Sequence, residues 1–138
     1  MLFARPFRLP LATGASTIQA LAIPVGVFQL VAFDRTHGDI VGFCDAGASR
    51  REPSYGGEVY AIYLVGRAKR YGIGREMFDR VRDWLVSCGK RSLIVWVLED
   101  NHHARRFYAA LGGRPTARLA TSVGGFPVVE LAYAWSDL

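Results

Sequence analysis

Gly72, Ile73 and Gly74 mark the point in this 138-residue chain where residue type and spacing speak most directly of chemistry. An apolar stretch from Glu58 to Val65 ends at Gly66, and a basic loop follows with Arg67, Lys69 and Arg70. Gly72-Ile73-Gly74 then opens an amphipathic run. A strand, a glycine loop and a helix start together make an anion site. Glycine lets the main chain come close to a phosphate. The first N–H groups of the helix have no partner in the helix itself, and its dipole favours negative charge there. Lys69, Arg70 and Arg75 add formal positive charge. The chemistry is that of holding a pyrophosphate. A P-loop would need Lys and then Ser or Thr after its last glycine, but Gly74 is followed by Arg75-Glu76. A dinucleotide fingerprint would need a small residue where Met77 stands, and a shorter link from strand to first glycine. Taken alone, Gly72-x-Gly74 is better explained by turn chemistry.

A second group of residues stands downstream. Leu93-Ile94-Val95-Trp96-Val97-Leu98 is a continuous apolar run with the length of a buried strand. Asp100 or Asn101 can cap a helix from about His102 to Leu111. Ala104, Phe107, Tyr108 and Leu111 fall on one face of it, and Gly112-Gly113 stops it. A Tyr beside a Phe on such a face is ordinarily core; the upstream loop is what gives Tyr108 another reading. Together the two stretches resemble the signatures of the GNAT acyltransferase superfamily. The cofactor motif of that family, Arg/Gln-x-x-Gly-x-Gly/Ala, is matched by Lys69-Arg70-Tyr71-Gly72-Ile73-Gly74, with Lys69 in place of the usual Arg or Gln. The second motif is matched by Asn101-x-x-Ala104-x-x-Phe107-Tyr108-x-x-Leu111-Gly112, with Gly113 where Phe is usual. The resemblance covers roughly residues 26–137.

The resemblance implies an N-acyltransferase that moves an acetyl group from acetyl-CoA to a primary amine by direct attack in a ternary complex. The loop formed by Lys69, Arg70, Tyr71, Gly72, Ile73, Gly74 and Arg75 would hold the pyrophosphate of coenzyme A. The main chain of Ile62, Tyr63 and Leu64 would pair with the pantetheine arm as an added strand does, and Asn101 would contact the cofactor. Acyl transfer from a thioester needs a neutral amine, a donor for the oxyanion and a proton for the leaving thiolate. The resemblance gives the last role to Tyr108 and the oxyanion to a main-chain N–H near Leu64. Glu58 is the candidate base: some family members carry Glu at this spacing, and strand alternation sets Glu58 on the face of Tyr60, Ile62 and Leu64. A solvated strand-end carboxylate is the alternative for Glu58, and Glu99 is the reserve base. Where several relatives have Glu, five residues before Asn101, this chain has Trp96. The acceptor is a small-molecule or peptide amine. A catalytically silent acyl-CoA-binding or assembly module is the alternative within the same fold.

Other residues carry less. His102 and His103 are adjacent on a helix start and do not face the same way; with only His37 besides, no metal site is expected. Cys44 and Cys88 form no C-x-x-C and read as buried free thiols, Cys88 on the apolar stripe of Met77, Val81, Trp84 and Leu85. No Ser-His-Asp arrangement or G-x-S-x-G is visible. Arg50-Arg51, beside Pro53 and Gly56-Gly57, read as an exposed loop. That loop borders the acceptor cleft in the resembling fold, which leaves an acidic acceptor open. The net charge of +5 invites a nucleic-acid partner. The arginines are scattered, however, with no basic helix stripe, so no nucleic acid is expected; a coenzyme with several phosphates accounts for part of the excess. No run is long enough for a transmembrane helix and no membrane partner is expected. The first 30 residues have a basic start and apolar patches, but Pro6, Pro10, Gly14 and Pro24 interrupt them. The expected location is cytoplasmic, in keeping with two unpaired cysteines.

These residues need a frame. With half its residues apolar, the chain can bury a core as one domain over residues 1–138. The expected elements are strands over 25–33, 40–46 and 58–65, and a helix from Ile73 to about Cys88. A strand over 92–98 follows, parallel to the third because a helix connects them, then the short helix. A final hairpin of 114–121 and 126–135 turns about Gly124-Gly125. The fold class is α+β, or mixed α/β. It is a central twisted, mostly antiparallel sheet with a parallel splayed pair and flanking helices, and ligand binds where the parallel strands diverge. Residues 1–24 form an atypical N-terminal segment. Family members typically place a strand and two helices there as a roof over the acceptor, so the expectation is an open acceptor site or one completed in a homodimer.

Overall fold

The computed structural model describes residues 7–11, 14–20 and 26–138. They form one eight-stranded sheet with two α-helices. The strands are β1 (Phe7–Leu11), β2 (Gly14–Ala20), β3 (Val27–Asp34), β4 (Asp39–Ala48), β5 (Gly57–Leu64), β6 (Leu93–Leu98), β7 (Arg114–Val123) and β8 (Phe126–Trp135). A 3-10 turn spans Gly66–Ala68, and the helices are α1 (Ile73–Ser87) and α2 (His102–Ala110). The spatial order is β1-β2-β3-β4-β5-β6-β8-β7. Every neighbouring pair is antiparallel except β5–β6. The α+β class, the mostly antiparallel sheet and the parallel pair are as the sequence implied. The N-terminal segment differs from the expectation. It supplies β1 and β2, which extend the sheet beyond β3. Pro10 lies on β1, the outermost strand, where proline is tolerated because no further strand needs its donor.

α1 is amphipathic because Ile73, Met77, Phe78, Val81 and Leu85 recur at helical spacing, and all five are buried. They pack on one face of the sheet with Leu30, Cys44, Ala46, Val59 and Val95. Phe28 of β3 stacks on Trp84 at 4.9 Å between ring centroids. Gly57 has no side chain because α1 lies against it: a Cβ there would meet Leu85 Cδ2 at 2.5 Å. The helix ends at Cys88, whose N–H donates to the carbonyls of Trp84 and Leu85, and Gly89 takes φ 77°. Cys88 is therefore an exposed C-cap and not a buried thiol, whereas Cys44 is buried as expected. The apolar stripe stops one turn earlier than its spacing implied, because Cys88 lies where the helix unwinds.

α2 joins the same core through Tyr108. Its C-terminus explains why Gly113 stands where Phe is usual. A Cβ at Gly113 would lie 2.7 Å from Trp135 Cζ2 and 2.9 Å from the Tyr108 carbonyl. The Trp135 indole fills that space and donates from Nε1 to the Leu111 carbonyl at 2.9 Å. The last hairpin turns on Gly124 (φ 57°) and Gly125 (φ 83°), the two left-handed residues that match strand twist.

Candidate active site

The parallel pair opens almost at once. β5 and β6 are in register at Gly57–Leu93, Glu58–Ile94 and Val59–Val95, and diverge beyond. Val65 N–H donates to the Val41 carbonyl at 2.9 Å. Since Gly42 faces Leu64 and Cys44 faces Ile62 in the β4–β5 ladder, antiparallel alternation turns the N–H and C=O of Leu64 and Ile62 away from β4 and into the gap. The main chain of Tyr63 is committed to Phe43 on β4, and its exposed ring stacks on Phe43 at 5.9 Å. A free strand edge of this kind accepts an extended ligand.

The glycine loop sits at the end of that edge. Arg70 (φ 67°) and Gly72 (φ 80°) both take left-handed conformations, uncommon for arginine. Between them the chain turns sharply enough to start α1 with Gly72 as a cap that lacks a side-chain acceptor. Glu76 N–H bonds to the Gly72 carbonyl, but among the described residues nothing accepts from the N–H groups of Arg70, Tyr71, Gly72, Ile73, Gly74 or Arg75. Consecutive unmatched amides with alternating handedness form an anion-binding nest, reinforced by the helix dipole. Lys69, Arg70 and Arg75 are exposed and have no acidic partner among the described residues. Arg67, by contrast, pairs with Asp39 and is spoken for. The pyrophosphate of a coenzyme fits this donor set.

Gly74 joins the two sequence motifs. A Cβ on it would lie 3.2 Å from Phe107 Cε2 and 3.5 Å from Leu64 Cδ1, so α1, α2 and the end of β5 meet there. Phe107 packs edge-on to Tyr108 at 5.2 Å. Tyr108 is 6% exposed, among Phe78, Tyr133 and Trp135. Its hydroxyl makes no hydrogen bond among the described residues. Burial pushes its pKa well above the ordinary tyrosine value, with the nearby Cys44 adding to the effect. Burial likewise pushes the Cys44 thiol up to about 12. Tyr108 is thus held in its neutral form. Asn101 is the N-cap of α2, its Oδ1 accepting from Ala104 N–H at 3.0 Å; this oxygen is engaged in the fold, and the residue is exposed.

Glu58 lies on the other face of the sheet, which corrects the simple alternation. The β4–β5 register pairs Ala46 with Val59 but Asp45 with Ala61, so Tyr60 is an extra residue in a β-bulge. Beyond it the faces exchange. Ile62 and Leu64 pack toward the helices with Val59. Glu58 and Tyr60 belong to the opposite face: a Cβ on Gly47, which faces Glu58, would meet Tyr60 Oη at 2.5 Å. Glu58 is 4% exposed, not a solvated strand end. Its Oε2 accepts from Arg50 N–H at 2.7 Å. The structure therefore sets Tyr108 and Glu58 on opposite faces of the sheet. Glu99, the reserve base, is held by Arg118 in a two-point contact at 2.9 and 3.1 Å. That contact, more than any other influence, lowers its pKa.

Arg50 and Arg51 lie in an exposed loop, as expected, and that loop also packs onto the strands around Glu58. Arg50 lies over the Tyr60 ring, its Cζ 3.4 Å from the centroid, and Tyr60 Oη donates to the Ala48 carbonyl at 2.6 Å. Arg51 lies over Trp96 at 4.6 Å and pairs with Glu130 at 2.5 Å. The partners are too far apart in sequence for spacing to reveal. No cluster of His, Cys, Asp and Glu capable of holding a metal occurs among the described residues, and no helix among them is long and apolar enough to cross a membrane.

Comparison with known proteins gives a single family. The sequence model of the Acetyltransferase (GNAT) family matches residues 12–112. An uncharacterized N-acetyltransferase of Bacillus subtilis (strain 168), YuaI, is 36% identical over 102 residues, which cover 73% of this chain and 58% of that protein. An uncharacterized N-acetyltransferase of Archaeoglobus fulgidus is 29% identical over 76 residues, covering 53% of this chain and 52% of that protein. The chain thus spans little more than half the length of the curated relatives it matches. Among solved structures, Arabidopsis thaliana NAA60 in complex with acetyl-CoA superposes with a TM-score of 0.69 at 18% identity, covering 81% of this chain and 77% of that one. With an unmatched amide nest, a splayed parallel pair and a family match that runs from the second strand through the second helix, this chain belongs to the GNAT family of acetyltransferases.

Proposed function

We propose that the chain transfers an acetyl group from acetyl-CoA to a primary amine, by direct attack in a ternary complex. The observation that carries this reading is the row of unmatched N–H groups from Arg70 to Arg75, with Gly74 seated against Phe107 beside Tyr108. The nest and its three cations hold the pyrophosphate. The free edge at Ile62 and Leu64 aligns the pantetheine arm, with the Leu64 N–H as donor to the carbonyl oxygen as charge develops on it. Acetyl-CoA supplies an acyl carbon already activated as a thioester. The amine acceptor, a small molecule or a peptide, comes from the face opposite the helices. Glu58 takes its ammonium proton, directly or through water, and Tyr108 gives a proton to the departing sulfur from the helix side. Placing base and acid on opposite faces keeps the two proton transfers apart. That acetyl-CoA accompanies the similar fold of NAA60 supports the choice of coenzyme.

Thiol release from acetyl-CoA across a panel of amines tests the reading. Tyr108→Phe is expected to lower kcat by about a hundredfold, the lower end of general-acid contributions, with coenzyme affinity nearly unchanged. A Tyr108→Phe enzyme with full turnover would remove the phenol from the reaction.

A further inference from the structure

Tyr60 and Trp96 are the first residues past the last paired row of β5 and β6, Val59–Val95. Both rings lie on the face opposite the helices: Trp96 packs with Ile94, Ala132 and Ala134, and Tyr60 covers Gly47. They frame the mouth of the opening on the acceptor side, and each carries a guanidinium. The two are not equivalent. The charge of Arg51 is matched by Glu130 at 2.5 Å. Arg50 has no such partner. Its own N–H is given to Glu58, its guanidinium lies flat on a ring that is itself anchored to Ala48, and among the described residues no side chain or carbonyl accepts from its fork. On the opposite wall, Trp96 Nε1 is buried and has no acceptor among the described residues. This side of the sheet thus carries the Glu58 carboxylate and an Arg50 fork with no acceptor among the described residues.

We propose that Arg50 is a specificity-determining residue and that the acceptor is a small amino acid-like molecule, whose amine goes to Glu58 and whose carboxylate is held by the Arg50 fork. The proposal rests on the acetyltransferase reading and names its acceptor class. A planar guanidinium with free N–H groups takes a carboxylate by two parallel bonds, and stacking on Tyr60 fixes its plane beforehand. The Arg50 guanidinium and the Glu58 carboxylate match the two ends of a zwitterion, while a second ammonium on the acceptor would be repelled by Arg50. Neutral amines would leave the fork unanswered.

The test uses the full chain with acetyl-CoA, a panel of free amino acids and the matching amino acid amides. Thiol release gives the rates, and calorimetry with coenzyme A present gives acceptor binding. The expected result is that acids are preferred over their amides. Arg50→Ala raises the half-saturating concentration of the acids by about ten- to hundredfold, moves that of the amides little, and leaves the melting temperature in place. Arg50→Lys recovers only part, because it keeps the charge and loses the fork. Amides or diamines used as well as acids by the unmodified chain would overturn the Arg50 assignment and leave the transferase standing. Acids that bind, with an affinity that Arg50→Ala weakens, but that release no thiol would support Arg50 and sink the transferase reading. Acids neither bound nor acetylated would overturn the proposal.

Discussion

Among the described residues, Tyr108 and Cys44 are the two side chains whose proton affinity the fold alters most. Both are neutral and buried, and both hold their protons more tightly than in the unfolded chain, where the ordinary values are 10.0 and 9.0. The stability this contributes is complete below those values and is lost as pH rises through the folded ones. Each group should therefore cost about 1.4 kcal/mol per pH unit over that range. Thermal melts at pH 9 to 11 should show a falling Tm, with a shallower fall in Cys44→Ala; an unchanged slope in that variant would mean the thiol is not sealed in the core. At this scale the sequence was uneven as a guide. Gly72, Gly74, Asn101 and Tyr108 announce themselves because each belongs to a local motif with a local reason. The surroundings of Glu58 do not, because Arg50 meets Tyr60 and Arg51 meets Trp96 only once three strands are side by side.

Most strands and helices were legible because each has its own period and punctuation. The α1 stripe, the Asn101 cap and the Gly124-Gly125 turn needed no tertiary knowledge, and the observed bounds fall within a few residues of those read from the pattern. Two features escaped. The bulge at Tyr60 comes from the partner strand's register, so the alternation of Glu58, Ile62 and Leu64 reads as unbroken in sequence. The strands β1 and β2 are short and interrupted by proline and glycine, which hides them from any periodicity test. The close packing at the end of α2 gives a prediction at this scale. Gly113→Ala should lower stability by about 1–3 kcal/mol, the cost of overpacking, because both the Trp135 ring and the Tyr108 carbonyl lie within 3 Å of the added methyl. Urea unfolding measures it, and an unchanged midpoint would show that Trp135 moves aside freely.

Seen whole, the molecule is a sheet with helices packed on one face and, beside the splay, an opposite face covered by the loop from Ser49 to Gly56. That loop caps Glu58 through Arg50 N–H and lays Tyr55 on the strand surface. The helix face carries the nest and Tyr108; the other carries Glu58 and the two stacked arginines. The splay of β5 from β6 is the passage between them. A variant at Gly72 tests this most directly. Its Cβ position meets nothing within 4 Å, and its φ of 80° is one that Asp tolerates better than most residues, so Gly72→Asp should fold. The same change puts a negative charge at the mouth of the amide nest. Calorimetric titration with coenzyme A should show binding to the unmodified chain and a loss of about a hundredfold or more in Gly72→Asp, with circular dichroism unchanged. Equal affinity in the two proteins would contradict the assignment of the Arg70–Arg75 amides as the pyrophosphate site.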